Sequence, residues 1–157
     1  MTQLDNLYRE VVLDHYRNPR GKGTLPTPPA EKAEGYNPYC GDEVTVYLEE
    51  QDGTVRLAWE GVGCSISQAS ASMMARGVAG KSAEDARRLL ARFREMLDLH
   101  GEKLADTDTD AAAALDRAKQ AELGDLMALE GVVKLPVRLK CALLPWTTLA
   151  EALDRNR

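Results

Sequence analysis

The sequence predicts an α+β fold in which a small antiparallel β-sheet packs against several α-helices. Three observations carry that expectation. Residues 43–60 alternate apolar and polar side chains on either side of an Asp-Gly turn. Residues 4–17, 65–79 and 82–97 instead repeat apolar side chains at three- and four-residue spacing, the period of a helix face. The 157 residues are 44% hydrophobic and 29% charged, the balance of a globular chain with one core, so a single domain over 1–157 is expected.

Leu4, Leu7, Tyr8, Val11 and His15 form the apolar face of the first helix, which Asn18-Pro19 ends. His15 reads as a structural histidine with a local partner rather than a metal ligand. Arg17, Arg20 and Lys22 then precede Pro26, Pro28 and Pro29, with Gly21 and Gly23 interspersed. This stretch has no core face. It reads as a solvated connector or, more sharply, as a basic docking patch. An extended stretch near 33–37 would add a strand to the sheet.

The hairpin carries the most information. Val44, Val46 and Leu48 alternate with Glu43, Thr45 and Glu49, and Val55, Leu57 and Trp59 alternate along the return. Asp52-Gly53 suits a two-residue turn of the primed type, and a hairpin's turn fixes its register. Gln51 should therefore face Thr54, Leu48 face Leu57, and Val46 face Trp59. Carried to the open end, the register sets Gly41 opposite Cys64, which makes Cys40, Asp42 and Cys64 neighbours.

After Gly61-Val62-Gly63, residues 65–79 read as a helix of small residues with Ile66, Ala69, Met73 and Met74 on its core face, ended by Gly80. Cys64 thus stands at a helix N-terminus, where the dipole favours a thiolate. Ser65, Ser67, Ser70 and Ser72 read as small residues that permit close packing. Ser82 to Asp85 resembles a capping box. Ala86, Leu89, Leu90, Phe93 and Leu97 form the next buried stripe, with Arg87, Arg88, Arg92 and Arg94 outward and His100 at the helix end. Asp106, Asp108 and Asp110 mimic a calcium loop, but its sixth position is not Gly and Arg117 stands where the bidentate Glu belongs. Asp110 reads instead as the cap of an alanine-rich surface helix over 111–122. Leu123 to Leu126 begin a short helix broken at Glu130-Gly131. Pro136 opens the last helix, with Cys141 one turn in. Pro145 cannot donate to the Cys141 carbonyl, so a kink is expected there.

The net charge of −5 argues against the basic face that nucleic-acid binding needs. No basic segment followed by an apolar run opens the chain, and no apolar stretch nears the ~20 residues of a membrane span. A cytoplasmic protein with reduced thiols is expected; the chain has three cysteines and no C-x-x-C pair.

Cys40, Asp42, Cys64 and Cys141 together offer three sulfurs and one oxygen, a full tetrahedral set for Zn²⁺. The same set holds iron or a [2Fe–2S] cluster less comfortably. Arg138 and Lys140 flank Cys141 and would offset the excess negative charge of so many anionic ligands. A purely structural zinc site more often uses four Cys or His ligands; the harder Asp42 makes this site exchangeable, and exchange frees a thiolate able to attack a sulfur donor. Three unrelated core cysteines, or a structural zinc domain that only binds a partner, are the plainer readings of the same residues.

Three stretches carry a family resemblance. They are Asn37-Pro38-Tyr39-Cys40-Gly41-Asp42; Gly61 to Ser67 with Ala69 to Met74; and Leu135-Pro136-Val137-Arg138-Leu139-Lys140-Cys141. With Tyr8 to Arg20 they resemble the U-type iron–sulfur assembly family, the IscU and NifU N-terminal type. Lys140 in place of a histidine before the third cysteine, and an insertion over about 101–123, make the chain look like the SufU branch. Leu-Pro-Val-Arg at 135–138 also departs from the chaperone-recognition run of the IscU branch. The resemblance implies a SufE/IscU-like fold. It implies zinc held by Cys40, Asp42, Cys64 and Cys141, and a sulfurtransferase role taking persulfide sulfur from a SufS-type cysteine desulfurase. It makes Cys40 the sulfur acceptor, freed when a desulfurase histidine replaces it, and gives Arg138 a part in docking or charge balance. Downstream SUF scaffold proteins are further partners it implies. The alternative within the family is a scaffold that assembles a [2Fe–2S] cluster on the same ligands.

Overall fold

Three strands form one antiparallel meander: β1 (Glu31–Asn37), β2 (Asp42–Gln51) and β3 (Thr54–Val62), in the order β1-β2-β3. The computed structural model describes residues 3–38, 41–101, 126, 128, 129 and 136–155. Asp52 and Gly53 both take positive φ, 54° and 80°, as a primed turn requires. The register from that turn is the expected one. Gln51 faces Thr54, Leu48 faces Leu57, Val46 faces Trp59, and the pairing runs unbroken to Glu43 and Val62. β1 supplies the third strand, starting two residues before the extended stretch read from the sequence, and its last pair is Asn37 with Asp42.

The alternation sends Ala33, Val44, Val46, Leu48, Val55, Leu57 and Trp59 into the core. Four helices are described: α1 (Gln3–Arg17), α2 (Ser65–Val78), α3 (Ala83–Gly101) and α4 (Pro136–Arg155). α4 lies across β1 and β2 and also touches α2 and α3, while α2 is packed against α1, β3, α3 and α4. Being enclosed, α2 buries every side chain from Ser67 to Ala75, which is why its sequence is so rich in Ala, Ser and Met. Phe93 of α3 stacks on Trp146 of α4 with ring centroids 4.5 Å apart. Ser82 caps α3 as expected, its Oγ accepting the Asp85 amide at 3.1 Å. α4 continues through Pro145. Leu126, Ala128 and Leu129 are buried in the same core.

Two readings of the sequence are corrected. The α2 serines are not mere spacers. Ser70 Oγ donates to the Ala142 carbonyl at 2.6 Å and accepts the Trp146 indole N–H at 3.0 Å, tying α2 to α4. Ser72 Oγ lies 2.7 Å from Nδ1 of the buried His15 and accepts the Arg20 amide at 2.9 Å. His15 is thus the satisfied structural histidine expected. Such buried polar groups need partners, and serine hydroxyls supply them where no longer side chain fits.

Nor is the stretch after α1 a free connector. Gly23 N–H donates to Trp59 O at 2.7 Å, Trp59 N–H to Gly21 O at 3.0 Å, and the Trp59 indole to Arg20 O at 2.8 Å. The chain is strapped along the edge of β3, which covers part of an otherwise open strand. Arg20 pairs with Asp14 at 2.7 Å and Lys22 lies over the Trp59 ring at 5.4 Å, so two of the three basic residues have internal partners. The insertion beyond Gly101, the calcium-like aspartates, the 111–122 helix and Leu123 to Asp125 lie outside the described residues. So do the side chains of Leu4, Leu7, Tyr8, Leu97 and His100.

Gly35 of β1 meets α4 so closely that an added Cβ would run into Thr148 Oγ1 and stand 3.0 Å from Leu144 Cδ1. Thr148 donates to the Leu144 carbonyl at 2.8 Å, so it is not at liberty to turn away. Gly35→Ala is expected to cost about 1–3 kcal/mol, the range for an overpacked interior, measured as a lowered denaturant midpoint with an unchanged m-value.

Candidate metal centre

Asp42 opens β2 and is fully buried. Two residues beyond the Asp42 end of the hairpin pairing, Cys64 caps α2 in an extended conformation and makes no side-chain capping bond, so its thiol is not spent on the helix. The Cys64 backbone N–H instead donates to Asp42 Oδ1 at 2.9 Å. The carboxylate therefore meets the positive end of α2. Glycine at 63, with φ 153°, makes this approach possible. A Cβ there would collide with Asp42 Oδ1 and lie 2.8 Å from Ser67 Oγ.

Cys141 arrives from the opposite side. It is buried in α4, in the helix that crosses β1 and β2. An Asp42 oxygen and the sulfurs of Cys64 and Cys141 all lie within 4.8 Å of one another. Donors on a tetrahedral zinc stand about 3.8 Å apart for Zn–S bonds of ~2.3 Å. These three residues fit such an ion, and their soft sulfurs and single oxygen suit zinc or iron rather than calcium or magnesium.

Electrostatics supports an ionised Asp42. Burial alone pushes the Asp42 carboxyl up, but hydrogen bonds from the Cys64 amide, Cys141, Asn37 and Ser67 outweigh it and hold the group below the usual carboxylate range. Arg138, on the turn of α4 before Cys141, is exposed at the rim. The charge of Cys64, then hydrogen bonds to Cys141 and Cys64, raise its pKa above the ordinary guanidinium value.

Of the four residues read from the sequence as ligands, Asp42, Cys64 and Cys141 converge, with Arg138 beside the two thiols. Cys40 lies outside the described residues; its neighbours Asn37 and Gly41 close a turn through the Gly41 N–H to Asn37 O bond of 2.9 Å. Sequence reasoning gave no separate role to Asn37, Gly63 or Ser67. Asn37 is 5% exposed and directs Nδ2 to Asp42 Oδ2 at 3.3 Å and to Cys141 Sγ at 3.7 Å. The available signal was an asparagine in an extended stretch, where that residue is disfavoured unless it does something else.

Gly63→Ala is expected to push the Asp42 carboxylate off its present position. Metal affinity should fall at least about tenfold, the scale seen when groups that orient a ligand are lost, as measured by competition with a chromophoric chelator. The far-ultraviolet circular dichroism of the variant should stay that of the parent.

Comparison with known proteins agrees with this geometry. Residues 7–124 match the model of the NifU-like N terminal domain. The chain is 39% identical to the zinc-dependent sulfurtransferase SufU of Bacillus subtilis over 154 residues, covering 98% of this chain and 93% of the relative. It is 36% identical to the iron–sulfur cluster assembly scaffold protein IscU of Streptococcus pyogenes, covering 99% and 88%. Among solved structures it is similar to FiSufU of Fervidobacterium islandicum AW-1, with a TM-score of 0.74 at 30% identity over 92% of this chain and 94% of that one. It is also similar to the N-terminal part of a NifU-like protein from Brucella abortus, with a TM-score of 0.75 at 28% identity over 99% and 97%. A family match over most of the chain, relatives aligned almost end to end, and two thiols brought onto one buried carboxylate lead to one conclusion: the chain belongs to the NifU-like N-terminal domain family.

Proposed function

We propose that this protein works in iron–sulfur cluster assembly as a zinc-bound sulfur acceptor, taking persulfide sulfur from a SufS-type cysteine desulfurase in the cytoplasm. The observation that carries the reading is the convergence of Asp42, Cys64 and Cys141 within 4.8 Å, with Arg138 beside the thiols. The Bacillus relative named as a zinc-dependent sulfurtransferase supports zinc as the ion. Cys40 would complete the set.

Bound zinc would keep its cysteine ligands deprotonated near neutral pH. The chain's own groups do the rest. Cys40, released as a thiolate, attacks the terminal sulfur of the desulfurase's cysteine persulfide. The S–S bond to the desulfurase cysteine breaks and its electron pair leaves with that cysteine as a thiolate. The terminal sulfur, with its proton, stays on Cys40 as a new persulfide. Arg138 offsets the negative charge held at the rim, where the desulfurase must dock. Downstream SUF scaffold proteins are the natural recipients of the sulfur.

A second reading, a scaffold that assembles a [2Fe–2S] cluster on the same residues, is favoured by the name of the Streptococcus relative. The two separate experimentally. Protein purified without chelator should carry one zinc per chain and should accelerate alanine release by a SufS-type desulfurase in the presence of a reductant. Cys40→Ala should keep the fold and lose the acceleration. Full stimulation by that variant overturns the sulfur-acceptor reading. Stable visible absorbance after anaerobic reconstitution, with transfer to an apo-ferredoxin, favours the scaffold.

A further inference from the structure

Asn37 stands outside the four ligands yet touches two of them. It is the last residue of β1 and buried. Its Nδ2 donates to Asp42 Oδ2 at 3.3 Å and reaches Cys141 Sγ at 3.7 Å. A carboxylate accepts only, so the side-chain amide must present its donor end to Asp42. The turn between β1 and β2 is closed by the backbone, from Gly41 N–H to Asn37 O. An apolar side chain would fill the same end of the sheet without bringing a polar group indoors.

Two hydrogen bonds hold the Asp42 carboxylate. Asp42 Oδ1 is held by the Cys64 amide and Oδ2 by Asn37. Asp42 and Cys141 come from β2 and α4, and one carboxamide from β1 bridges them. Cys64 is tied to Asp42 by its backbone rather than its sulfur. Each carboxylate oxygen keeps a further lone pair for a metal, so these bonds orient Asp42 without consuming it. Groups that hold a ligand from behind set how firmly it stays.

We infer that Asn37 is a positioning residue that holds Asp42 of β2 and Cys141 of α4 as one pair, so that the carboxylate and the sulfur are presented together to a zinc ion. The inference rests on the zinc reading above and adds to it a residue that orients two of the ligands without being one. Without Asn37 the fold survives, but the pair is no longer held together.

The test uses the full chain, with Asn37→Leu, which keeps the volume and removes both donors, and Asn37→Ala as a second variant. Neither needs a desulfurase. Zinc release to a chromophoric chelator should be about 10–100-fold faster in both variants. Cobalt(II)-loaded variants should lose intensity in the visible bands that report tetrahedral thiolate coordination. Brief treatment of the zinc-loaded protein with iodoacetamide should label Cys141 faster in the variants than in the parent, as read by peptide mass spectrometry. A merely structural role for Asn37 would lower the melting temperature of the metal-free protein and leave zinc release and Cys141 labelling unchanged. Release rates within twofold of the parent, or Cys141 labelling no faster in Asn37→Leu, overturn the inference while leaving the zinc reading intact. A parent chain that takes up no zinc overturns both.

Discussion

The bond from the Cys64 amide to Asp42 Oδ1 joins the two halves of this structure, and the candidate site depends on it. At 2.9 Å it fastens the first residue of β2 to the first turn of α2. It puts a buried carboxylate at the positive end of an enclosed helix. Burying a carboxylate without such compensation is costly, and here the compensation comes from backbone that a register and one glycine hold in place. Glu43 faces Val62, so the next positions inward are Asp42 and Gly63. At Gly63 even a methyl group would displace the carboxylate.

The remaining architecture completes this arrangement from the other side. α4 crosses β1 and β2 closely enough that Gly35 can have no side chain, and it is fastened to α2 by the Ser70 bonds to Ala142 and Trp146. Ala142 follows Cys141 directly. The same contact that satisfies a buried indole and a buried carbonyl therefore fixes the height at which the Cys141 sulfur meets Asp42. Stability and site share residues, and rigid elements hold the donors.

The charge arrangement divides into an inner and an outer part. Inside, Asp42 and Cys141 are bridged by Asn37 and shielded from solvent. Outside, half-buried Cys64 and exposed Arg138 form the rim. In a chain with a net charge of −5, one guanidinium is thus set beside two thiols. No helix among the described residues is long and apolar enough to cross a membrane.

The sequence by itself determined everything that depends on neighbours along the chain. The Asp52-Gly53 turn needs positive φ at two residues, so the hairpin register followed, and with it the approach of Asp42 to the Cys64 end. The helices at 3–17, 65–78 and 83–101 followed from apolar spacing, and the third strand near 33–37 was legible as an extended stretch. Cys141 could be named from its residue type and setting, but only the tertiary structure brought it to Asp42, because no local periodicity encodes how α4 lies on the sheet. The same holds for the serines of α2. Their size was legible, but their bonds to His15, Arg20, Ala142 and Trp146 connect residues far apart in sequence. The strap at Gly21 to Gly23 looked like a connector because it lacks an apolar face, yet its backbone is what pairs with Trp59, and backbone pairing leaves little trace in side-chain pattern. Asn37 had no visible task until β1, β2 and α4 met, since a side chain that bridges two elements is defined by their packing and not by its own segment.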